Sequence, residues 1–529
     1  MTHRQILQAL IGLLAGLFTT LLSSTIVTTA LPTIIADLDG SQTAFTWIVT
    51  SALLANAAST PIWGKFADLF NKKLMVQIAL IIFVIGSIIA GFASNITIML
   101  VARVIQGIGM GGLTALVVAI IGSIVSPRER GRYSGYMGAV MAVAMSGGPI
   151  LGGVIVDSPL GWRWTFFVCV PLALVALVLL QFTLHLEDSR PGSVSIDWLG
   201  ATLLTAGVSI LLIWVSFAGK ADYYAWFSLE SALLVGGGIA LLALTIYVES
   251  RAKDPIIPLK IVTERTTALA IIASVAVGIG LFGALTFLGQ YFQTARGFSP
   301  TAAGLLTLPM VVGMLSGSIV SGQLITRFGK WKPFVLGGSI LLVIGLGYLG
   351  TLDHESPLVP VSIAMMVVGL GMGSLMQNLV LAVQNTVSVA NIGAASSSVA
   401  FFRMFGGAVG VSVLGSILAS RVATLSHDGL ERLGIDTSGS SGGGLDVNAL
   451  PAPVQEVIRH AYGDANGHIF LIAAGFAVVA AIAVALLPNQ PLRRTIDIEP
   501  EDKDGIPVTV VEGANHVAPR DADALTPTK

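Results

Sequence analysis

The chain has 529 residues, of which 54% are hydrophobic and only 11% are charged. Soluble domains carry about 25% charged residues, so this composition excludes an ordinary soluble protein and predicts a polytopic membrane protein. The single cysteine, Cys169, excludes a disulfide scaffold and a cysteine-based metal site. The net charge of −1 gives no electrostatic reason to expect a nucleic-acid partner.

A membrane-spanning helix needs about 20 consecutive apolar residues. By that rule the sequence predicts fourteen spans, at residues 9–31, 46–64, 75–94, 98–121, 134–156, 165–184, 198–217, 230–249, 267–290, 302–322, 333–351, 358–382, 395–419 and 467–487. The first is interpreted as a retained span and not a signal peptide, because its apolar run continues to Leu31 without a small-residue cleavage site.

The lysines and arginines predict how these spans are oriented. With the N-terminus inside, 20 of the 28 basic residues fall in inner segments and six in outer ones, while Arg103 and Arg403 lie within spans. Positive charge collects on the cytoplasmic side of membrane proteins. The sequence therefore predicts a multi-pass protein of the cytoplasmic membrane with both termini in the cytoplasm.

A tight basic loop follows span 2, and a similar one follows span 10, which indicates an internal repeat of two six-span halves. The predicted domains are a six-helix bundle at 1–190, an inserted hairpin of spans 7 and 8 at 191–260, and a second bundle at 261–487. The second bundle includes an outer loop at 420–466, with a flexible SGSSGGG stretch and a short surface helix at 449–462. The acidic, proline-containing tail at 488–529 is expected to be disordered.

Short motifs fall in the same order as the spans. Span 5 contains Gly148, Pro149, Gly152 and Gly153, which would cripple a soluble helix but allow close packing of a kinked membrane helix. The other motifs are Gly64, Asp68, Lys72 and Lys73 after span 2; Arg103, Gln106, Gly107 and Gly109 in span 4; and Trp162, Arg163, Trp164 and Phe166 after span 5.

Taken together, these motifs and the fourteen spans resemble the major facilitator superfamily, specifically its fourteen-span drug:proton antiporters of the EmrB/QacA type. The resemblance runs from Thr25 to the last span. It implies an all-α major facilitator fold, with two six-helix bundles plus an inserted two-helix hairpin. It also implies transport by rocking of the halves around a central site.

One departure from the resemblance concerns proton coupling. Span 1 carries Ser23 and Thr28 where those antiporters commonly have an aspartate and an asparagine, and no Asp or Glu falls in the middle of any predicted span. A proton-coupled antiporter needs a titratable group that faces each side in turn. Asp37 is the candidate carrier, and Arg103 in span 4 is its expected partner.

The basic loop after span 2 predicts a latch at the inner face. There the Asp68 carboxylate would hold the positive N-terminal end of span 13 near residues 393–396 and pair with Arg128 or Arg132. The resemblance places Gly64, Lys72 and Lys73 in the same latch. The second loop has Thr326 where the first has Asp68, so the two halves should latch unequally.

Polar side chains within spans are candidates for a substrate cavity, because such side chains usually face the protein interior. We expect Gly313 and Gly317 of span 10 to pack against the span 5 glycines and seal the seam between the halves. The candidate cavity residues are Gln106, Gln377, Asn378, Gln384, Arg403 and Tyr291.

These features predict a secondary active exporter of amphipathic organic compounds that exchanges them for protons. The expected partners are a small amphipathic substrate, protons and membrane lipids, and the expected state is a monomer without cofactor or metal. One alternative is a lipid or natural-product exporter with weak or no proton coupling, and another is a non-transporting sensor or scaffold. An intramembrane enzyme is disfavoured because no cluster of His, Asp and Glu occurs at membrane depth.

Overall fold

We describe a computed structural model. It describes residues 3–38, 42–125, 127–184, 198–218, 224–252, 259–298, 300–388, 391–433 and 451–492. The SGSSGGG stretch and residues 493–529 of the predicted disordered tail lie outside the described residues. So do several side chains within helices, including those of Asp68, Arg128 and Arg132.

The first half of the chain is a bundle of long apolar helices. Asn71 and Asn95 begin α3 and α4 by accepting hydrogen bonds from the amides of Leu74 and Ile98, which are otherwise unpaired at a helix start. The helices are α1 (His3–Asp37), α2 (Gln42–Leu69), α3 (Lys72–Gly91), α4 (Ile96–Ile124), α5 (Pro127–Asp157), α6 (Trp164–Phe167) and α7 (Cys169–Thr183).

The second half repeats this arrangement after a pair of helices that pack on each other. Those two are α8 (Trp198–Phe217) and α9 (Leu229–Glu249). The remaining helices are α10 (Leu259–Val262), α11 (Arg265–Gln290) with a π-helical continuation at Tyr291–Ala295, α12 (Pro300–Leu306), α13 (Leu308–Phe328), α14 (Lys332–Leu349), α15 (Leu358–Gln384), α16 (Ile392–Arg432) and α17 (Ala452–Leu486).

Among the described residues, twelve helices are long and apolar enough to cross a membrane. Helices also occur at the two other predicted spans. One is α2, whose hydropathy is lowered by buried polar residues such as Asn56 and Thr60, and the other is the shorter apolar stretch Leu199–Val215 of α8. The structure therefore confirms an all-helical membrane architecture and supplies twelve of the fourteen predicted spans.

In two places helical or packed structure extends beyond the bounds predicted from the sequence. Most of the described part of the outer loop is helical, because α16 continues to Arg432 and α17 already begins at Ala452 as one helix through the last span. The beginning of the tail is packed: the Trp331 indole and the Asn385 amide donate hydrogen bonds to the carbonyls of Gln490 and Pro491. Apolar segments predict where a helix can cross lipid, but they do not show where that helix ends in water.

The halves meet along two helix pairs. Helix α5 packs on α13, and α2 packs on α16, while α4 approaches the start of α16. The α8–α9 pair also contacts both halves, since Ala201 and Leu204 of α8 share a buried cluster with Ala57 of α2 and Phe401 of α16. The interior that matters for function is therefore the space framed by α2, α4, α5, α13, α15 and α16.

Candidate functional site

The glycines of α5 pack against α1. A methyl group at Gly148 would overlap Oγ1 and Cβ of Thr25, and one at Gly152 would lie 2.9 Å from the carbonyl oxygen of Ile26. The Thr25 hydroxyl donates a 3.2 Å hydrogen bond to the Ala144 carbonyl of α5. Gly153 is buried as well. Small residues thus let α5 lie against α1 at nearly backbone distance.

Gly313 and Gly317 do not pack against the α5 glycines, so that prediction is wrong. Methyl groups at these two positions would overlap the carbonyl oxygens of Met366 and Leu370 in α15. The two glycines therefore hold α13 against α15 inside the second half. The small-residue contact between α5 and α13 is formed instead by Gly138, where a methyl group would overlap the hydroxyl of Ser318, while Pro149 approaches Gly304 of α12.

Arg103 is buried, with 2% of its surface exposed. Its Nε donates to the Ile48 carbonyl of α2 at 3.1 Å, and its NH1 donates to Oε1 of Gln106 at 2.9 Å. The Gln106 amide in turn donates to the Ser87 hydroxyl of α3 at 2.8 Å. These bonds hold a buried cation that has no carboxylate partner among the described residues, and they join α2, α3 and α4.

Asp37 therefore does not pair with Arg103, contrary to the sequence prediction. Its carboxylate accepts hydrogen bonds from the Trp162 indole at 2.9 Å and from Arg163 at 3.0 Å, and the Arg163 guanidinium lies over the Trp162 ring. The bonds from Trp162 and Arg163 lower the pKa of the Asp37 carboxyl. Asp37 thus ties the end of α1 to the loop before α6.

This pair should make a small, pH-dependent contribution to stability. Because the folded-state pKa of Asp37 is lowered, the contribution is present above its ordinary pKa of 3.8 and is lost as the pH falls through the lowered value. Asp37→Asn should therefore lower the melting temperature slightly at neutral pH and leave it equal to wild type once the pH is well below the lowered pKa. Thermal unfolding in detergent measures this change, and Arg163→Gln is expected to change the melting temperature in the same way as Asp37→Asn. A difference that grows below pH ~4 would contradict the assignment.

The α15 amides reach across the interior. Gln377 donates to the Met141 sulfur of α5 at 3.2 Å, and Gln384 donates to the Ser396 hydroxyl of α16 at 2.8 Å and to the Val118 carbonyl of α4 at 3.4 Å. Gln377 and Gln384 border a closed cavity of about 10 Å³ between the halves. That volume holds at most one water molecule, so the halves are closed together at this level.

Two amide oxygens in this region have no hydrogen-bond partner among the described residues. They are Oε1 of Gln377 and Oδ1 of Asn378, although the Asn378 nitrogen donates to Ser321 at 3.0 Å. A buried carbonyl without a partner costs free energy, typically about 1–3 kcal/mol. The α15 amides are therefore arranged to accept a further donor.

Arg403 is the second buried cation. It is 2% exposed and donates from NH1 to the Met376 carbonyl at 3.0 Å, and its Nε has no hydrogen-bond partner among the described residues. None of the ion pairs among those residues includes it. Arg403 lies on α16 against α11, where a methyl group at Gly278 would overlap its backbone carbonyl.

At the place predicted for the inner latch, the end of α2 packs closely on the start of α16. A methyl group at Gly64 would overlap the Ser397 side chain and lie 2.9 Å from the Gly393 carbonyl, so the last turn of α2 lies beside the start of α16. Gly122 of α4 fits in the same way against Ile392. The side chains of Asp68, Arg128 and Arg132, which would form the charged part of the latch, lie outside the described set.

Of the two lysines of the motif, Lys73 makes a contact within its own half. Lys73 donates a 2.8 Å hydrogen bond to the Gln181 carbonyl at the end of α7, within its own half. Lys72 is the first residue of α3. A cation at the C-terminal end of a helix stabilises its last carbonyls, so Lys73 fastens α3 to α7.

Tyr291 does not border the space between the halves, contrary to expectation. It is fully buried, and its hydroxyl donates a 2.7 Å hydrogen bond to the Asp353 carbonyl while accepting one from Arg296. Burial raises the pKa of its hydroxyl. Arg296 also donates to the Ser356 carbonyl, so this group anchors the loop between α14 and α15.

The structure adds residues that the sequence analysis did not select. Thr25 fills the space left by Gly148, and Met141 accepts a hydrogen bond from Gln377 of the other half. Ser396 accepts a hydrogen bond from Gln384, and Ser397 packs against Gly64. A run of three consecutive serines at the start of an apolar span was the available signal for the last two. Thr25 and Met141 carry no comparable signal, because their roles depend on which helices become neighbours.

Known proteins resemble this chain over most of its length. A multidrug transporter of Bacillus subtilis, MdtP, is 35% identical over 79% of this chain and 76% of its own length. An efflux pump of Dothistroma septosporum, dotC, is 32% identical over 93% of this chain and 85% of its own length. An uncharacterised MFS-type transporter of Mycobacterium tuberculosis is 33% identical over 96% of this chain and 73% of its own length.

Solved structures agree on the fold. The proton:xylose symporter XylE superposes with a TM-score of 0.62 and 15% identity, covering 92% of this chain and 96% of that one. The human organic anion transporter MFSD10 superposes with a TM-score of 0.60 and 14% identity, covering 90% and 99%. Residues 13–411 match the sequence profile of the Major Facilitator Superfamily. The chain therefore belongs to the major facilitator superfamily.

Proposed function

We propose that this protein is a secondary active exporter of amphipathic organic compounds that works by alternating access. One observation carries the proposal: near the Gly64 contact the two halves close on each other around a cavity of about 10 Å³ that residues of both halves line, with no ion pair across it among the described side chains. Closure on one side of a space between two halves is what rocking of the halves around a central site requires. Relatives named multidrug transporter and efflux pump support the same function.

The proposed membrane arrangement has fourteen spans, with α2 and α8 completing the twelve that composition identifies. The bundles are 1–190 and 261–487, the α8–α9 hairpin lies in 191–260, and the tail is 488–529. The contacts of α8 with both α2 and α16 support a hairpin placed beside the seam between the bundles. We place both termini in the cytoplasm, from the distribution of lysine and arginine, and propose a monomer in the cytoplasmic membrane.

The charges of the interior favour neutral or anionic substrates. Arg103 and Arg403 are buried without a carboxylate partner among the described residues, and the sequence places no Asp or Glu in the middle of a span. Arg403 and the oxygens of Gln377 and Asn378 would meet the polar group of a substrate. Apolar walls would take its hydrophobic part.

Replacing Arg403 should change which substrates are exported. Arg403→Gln removes the charge and keeps an amide, so export of an anionic amphiphile should fall about tenfold relative to a neutral amphiphile of similar size. Arg403→Lys should retain more of the anion export. Efflux of a matched anionic and neutral dye pair from cells, with protein level in the membrane as the control, measures the ratio. An unchanged ratio in Arg403→Gln would exclude Arg403 from substrate recognition.

We propose that export is coupled to protons through the Asp37–Arg163 pair, with Arg103 as a fixed charge in the same half. While the pair is intact, the lowered pKa of Asp37 keeps its carboxylate ionised. Proton uptake then requires that the pair opens and that the freed carboxylate loses solvation during the transport cycle, which raises its pKa. A lipid or natural-product exporter with weak coupling is the second candidate, which the lack of any mid-span carboxylate in the sequence favours.

Asp68→Asn separates an exporter from a membrane scaffold. The variant keeps the size of the side chain and removes the charge that the latch requires. Export in cells should be lost while the amount of folded protein in the membrane stays at the wild-type level. Full export by Asp68→Asn would contradict the latch, and no export by the wild type for any charge class of amphiphile would contradict the exporter.

A further inference from the structure

A second, larger cavity lies at the opposite end of α16 from the Gly64 contact. Its volume is about 670 Å³, within the roughly 300–1,000 Å³ of small-molecule sites. It lies between α16, α17 and the link from α8 to α9. The α16 face that borders it follows helical spacing, with Val413, Ile417 and Ser420 at intervals of three or four residues.

The lining becomes more polar along α16 towards its C-terminal end. The part nearer the middle of the helix is lined by Val413, Ser416 and Ile417, and the part further out by Ser420, Arg421, Thr424 and Leu425. His468 of α17 also borders the cavity. A molecule that fits this order carries a hydrophobic chain and a polar head at one end.

Two aromatic side chains form the wall that belongs to the α8–α9 link. Trp226 packs edge-on against Trp214 at 5.6 Å between ring centroids, while the Phe227 side chain is fully exposed. Hydrogen bonds tie residues 224 and 225 of the link to both helices, because the Ser231 hydroxyl of α9 donates to the Ala225 carbonyl at 2.6 Å and the Tyr224 hydroxyl donates to the Ile213 carbonyl of α8 at 3.3 Å. Tryptophan at such a position is typical of the membrane–water interface.

The charge of the polar part is positive. None of the ion pairs among the described residues uses Arg421. Among the described residues that line the cavity, Arg421 alone carries a permanent charge. Arg421 is thus left to meet an anion from outside the protein.

The depth of Arg421 fits a lipid headgroup. Arg421 is 29 residues after the start of α16 at Ile392, which corresponds to about 43 Å along the helix. A bilayer is roughly 40–45 Å thick with its headgroups, so a helix that starts at one surface brings Arg421 to the other. Ile417 and Val413 then lie at the depth of acyl chains.

We propose that this cavity binds an anionic amphiphile, with its head on Arg421, Ser420 and His468 and its chain along Ile417 and Val413 beneath Phe227. The amphiphile is either a phospholipid of the leaflet on that side or an anionic compound that leaves the protein there. The proposal does not depend on proton coupling or on export, because a resident lipid would occupy the same site.

The test uses the purified full-length protein and two anionic probes. Phosphatidylglycerol retention is followed by native mass spectrometry, with phosphatidylcholine as the zwitterionic control, and dansyl-labelled dodecanoate is followed by fluorescence titration. Arg421→Gln should weaken binding of at least one anionic probe about tenfold and leave phosphatidylcholine unaffected, and Arg421→Lys should restore most of it. Phe227→Ala, at a fully exposed position, should weaken binding of the hydrophobic chain of the probe without affecting the fold of the protein.

Arg432→Gln is the matched control, since Arg432 lies at the end of the same helix and does not border the cavity. If Arg421→Gln weakens the binding of phosphatidylglycerol, the cavity is a lipid site. If it weakens the binding of dansyl-dodecanoate alone, the cavity is an exit site for exported compounds. Equal affinities of Arg421→Gln and wild type for both anionic probes would overturn the proposal. Equal losses in Arg421→Gln and Arg432→Gln would also overturn it.

Discussion

Gly148→Ala is expected to reduce export about tenfold or more, although alanine normally favours a helix over glycine. The added methyl would overlap the Thr25 side chain, and its third contact is the Thr25 carbonyl carbon at 2.9 Å. Overpacking of this kind costs about 1–3 kcal/mol or displaces the helix. Displacing α5 from α1 pushes it towards α12 and α13 of the other half, which would hinder the rocking of the halves.

The neighbouring glycine supplies the control. A methyl at Gly147 would meet only a side-chain carbon of Leu22 at 3.5 Å, an ordinary contact, so Gly147→Ala should export close to the wild-type rate. Both variants make the same chemical change one position apart on the same helix. Efflux of a fluorescent amphiphile, normalised to protein in the membrane, compares them. Equal export by the two variants would contradict the α1–α5 packing described here.

Gly64→Ala is expected to prevent closure of the inner face. Its methyl would overlap Ser397, so α2 and α16 could no longer approach, and we expect export to fall about tenfold. The inner space should open as a result. A cysteine introduced as Val118→Cys, which borders the closed cavity, should react faster with a membrane-impermeant maleimide applied from the inner side. The native Cys169 is buried and should not interfere.

Ser397→Gly provides the specific test of this contact. It removes both atoms that the Gly64→Ala methyl overlaps and leaves the Gly393 carbonyl at 2.9 Å, so the double variant should recover much of the lost export. Gly337→Ala is a control for the substitution itself, since nothing lies within 4 Å of its added methyl. Failure of Ser397→Gly to rescue Gly64→Ala would mean that Gly64 acts elsewhere.

Apolar segments predicted the helices well, because burial in lipid requires long apolar runs and the chain has few other ways to satisfy its backbone. The loop after span 2 also predicted that the end of α2 lies beside the start of α16, because the Asp68 carboxylate suits a helix N-terminus. The charged latch itself stays a prediction. Family membership followed from the order of such motifs.

Side-chain partners were predicted less well. Arg103 and Asp37 looked complementary, yet Arg103 donates to the Ile48 carbonyl and to Gln106, and Asp37 accepts from Trp162 and Arg163. Two glycines four residues apart, such as Gly313 and Gly317, allow close packing against any neighbouring helix. That they pack against α15 and not α5 depends on the tertiary arrangement. Tyr291 was assigned to the cavity from its residue type alone, without its neighbours.

Transport by the purified protein in liposomes tests the central claim most directly. Liposomes with an internal pH-sensitive dye and an imposed proton gradient would receive neutral, anionic and cationic amphiphiles in turn, with wild type, Asp37→Asn and Gly148→Ala compared at equal protein content. We predict substrate movement with an opposing proton flux for wild type, loss of the proton flux in Asp37→Asn, and loss of both in Gly148→Ala. Wild-type liposomes that move no amphiphile, or Gly148→Ala liposomes as active as wild type, would contradict the account.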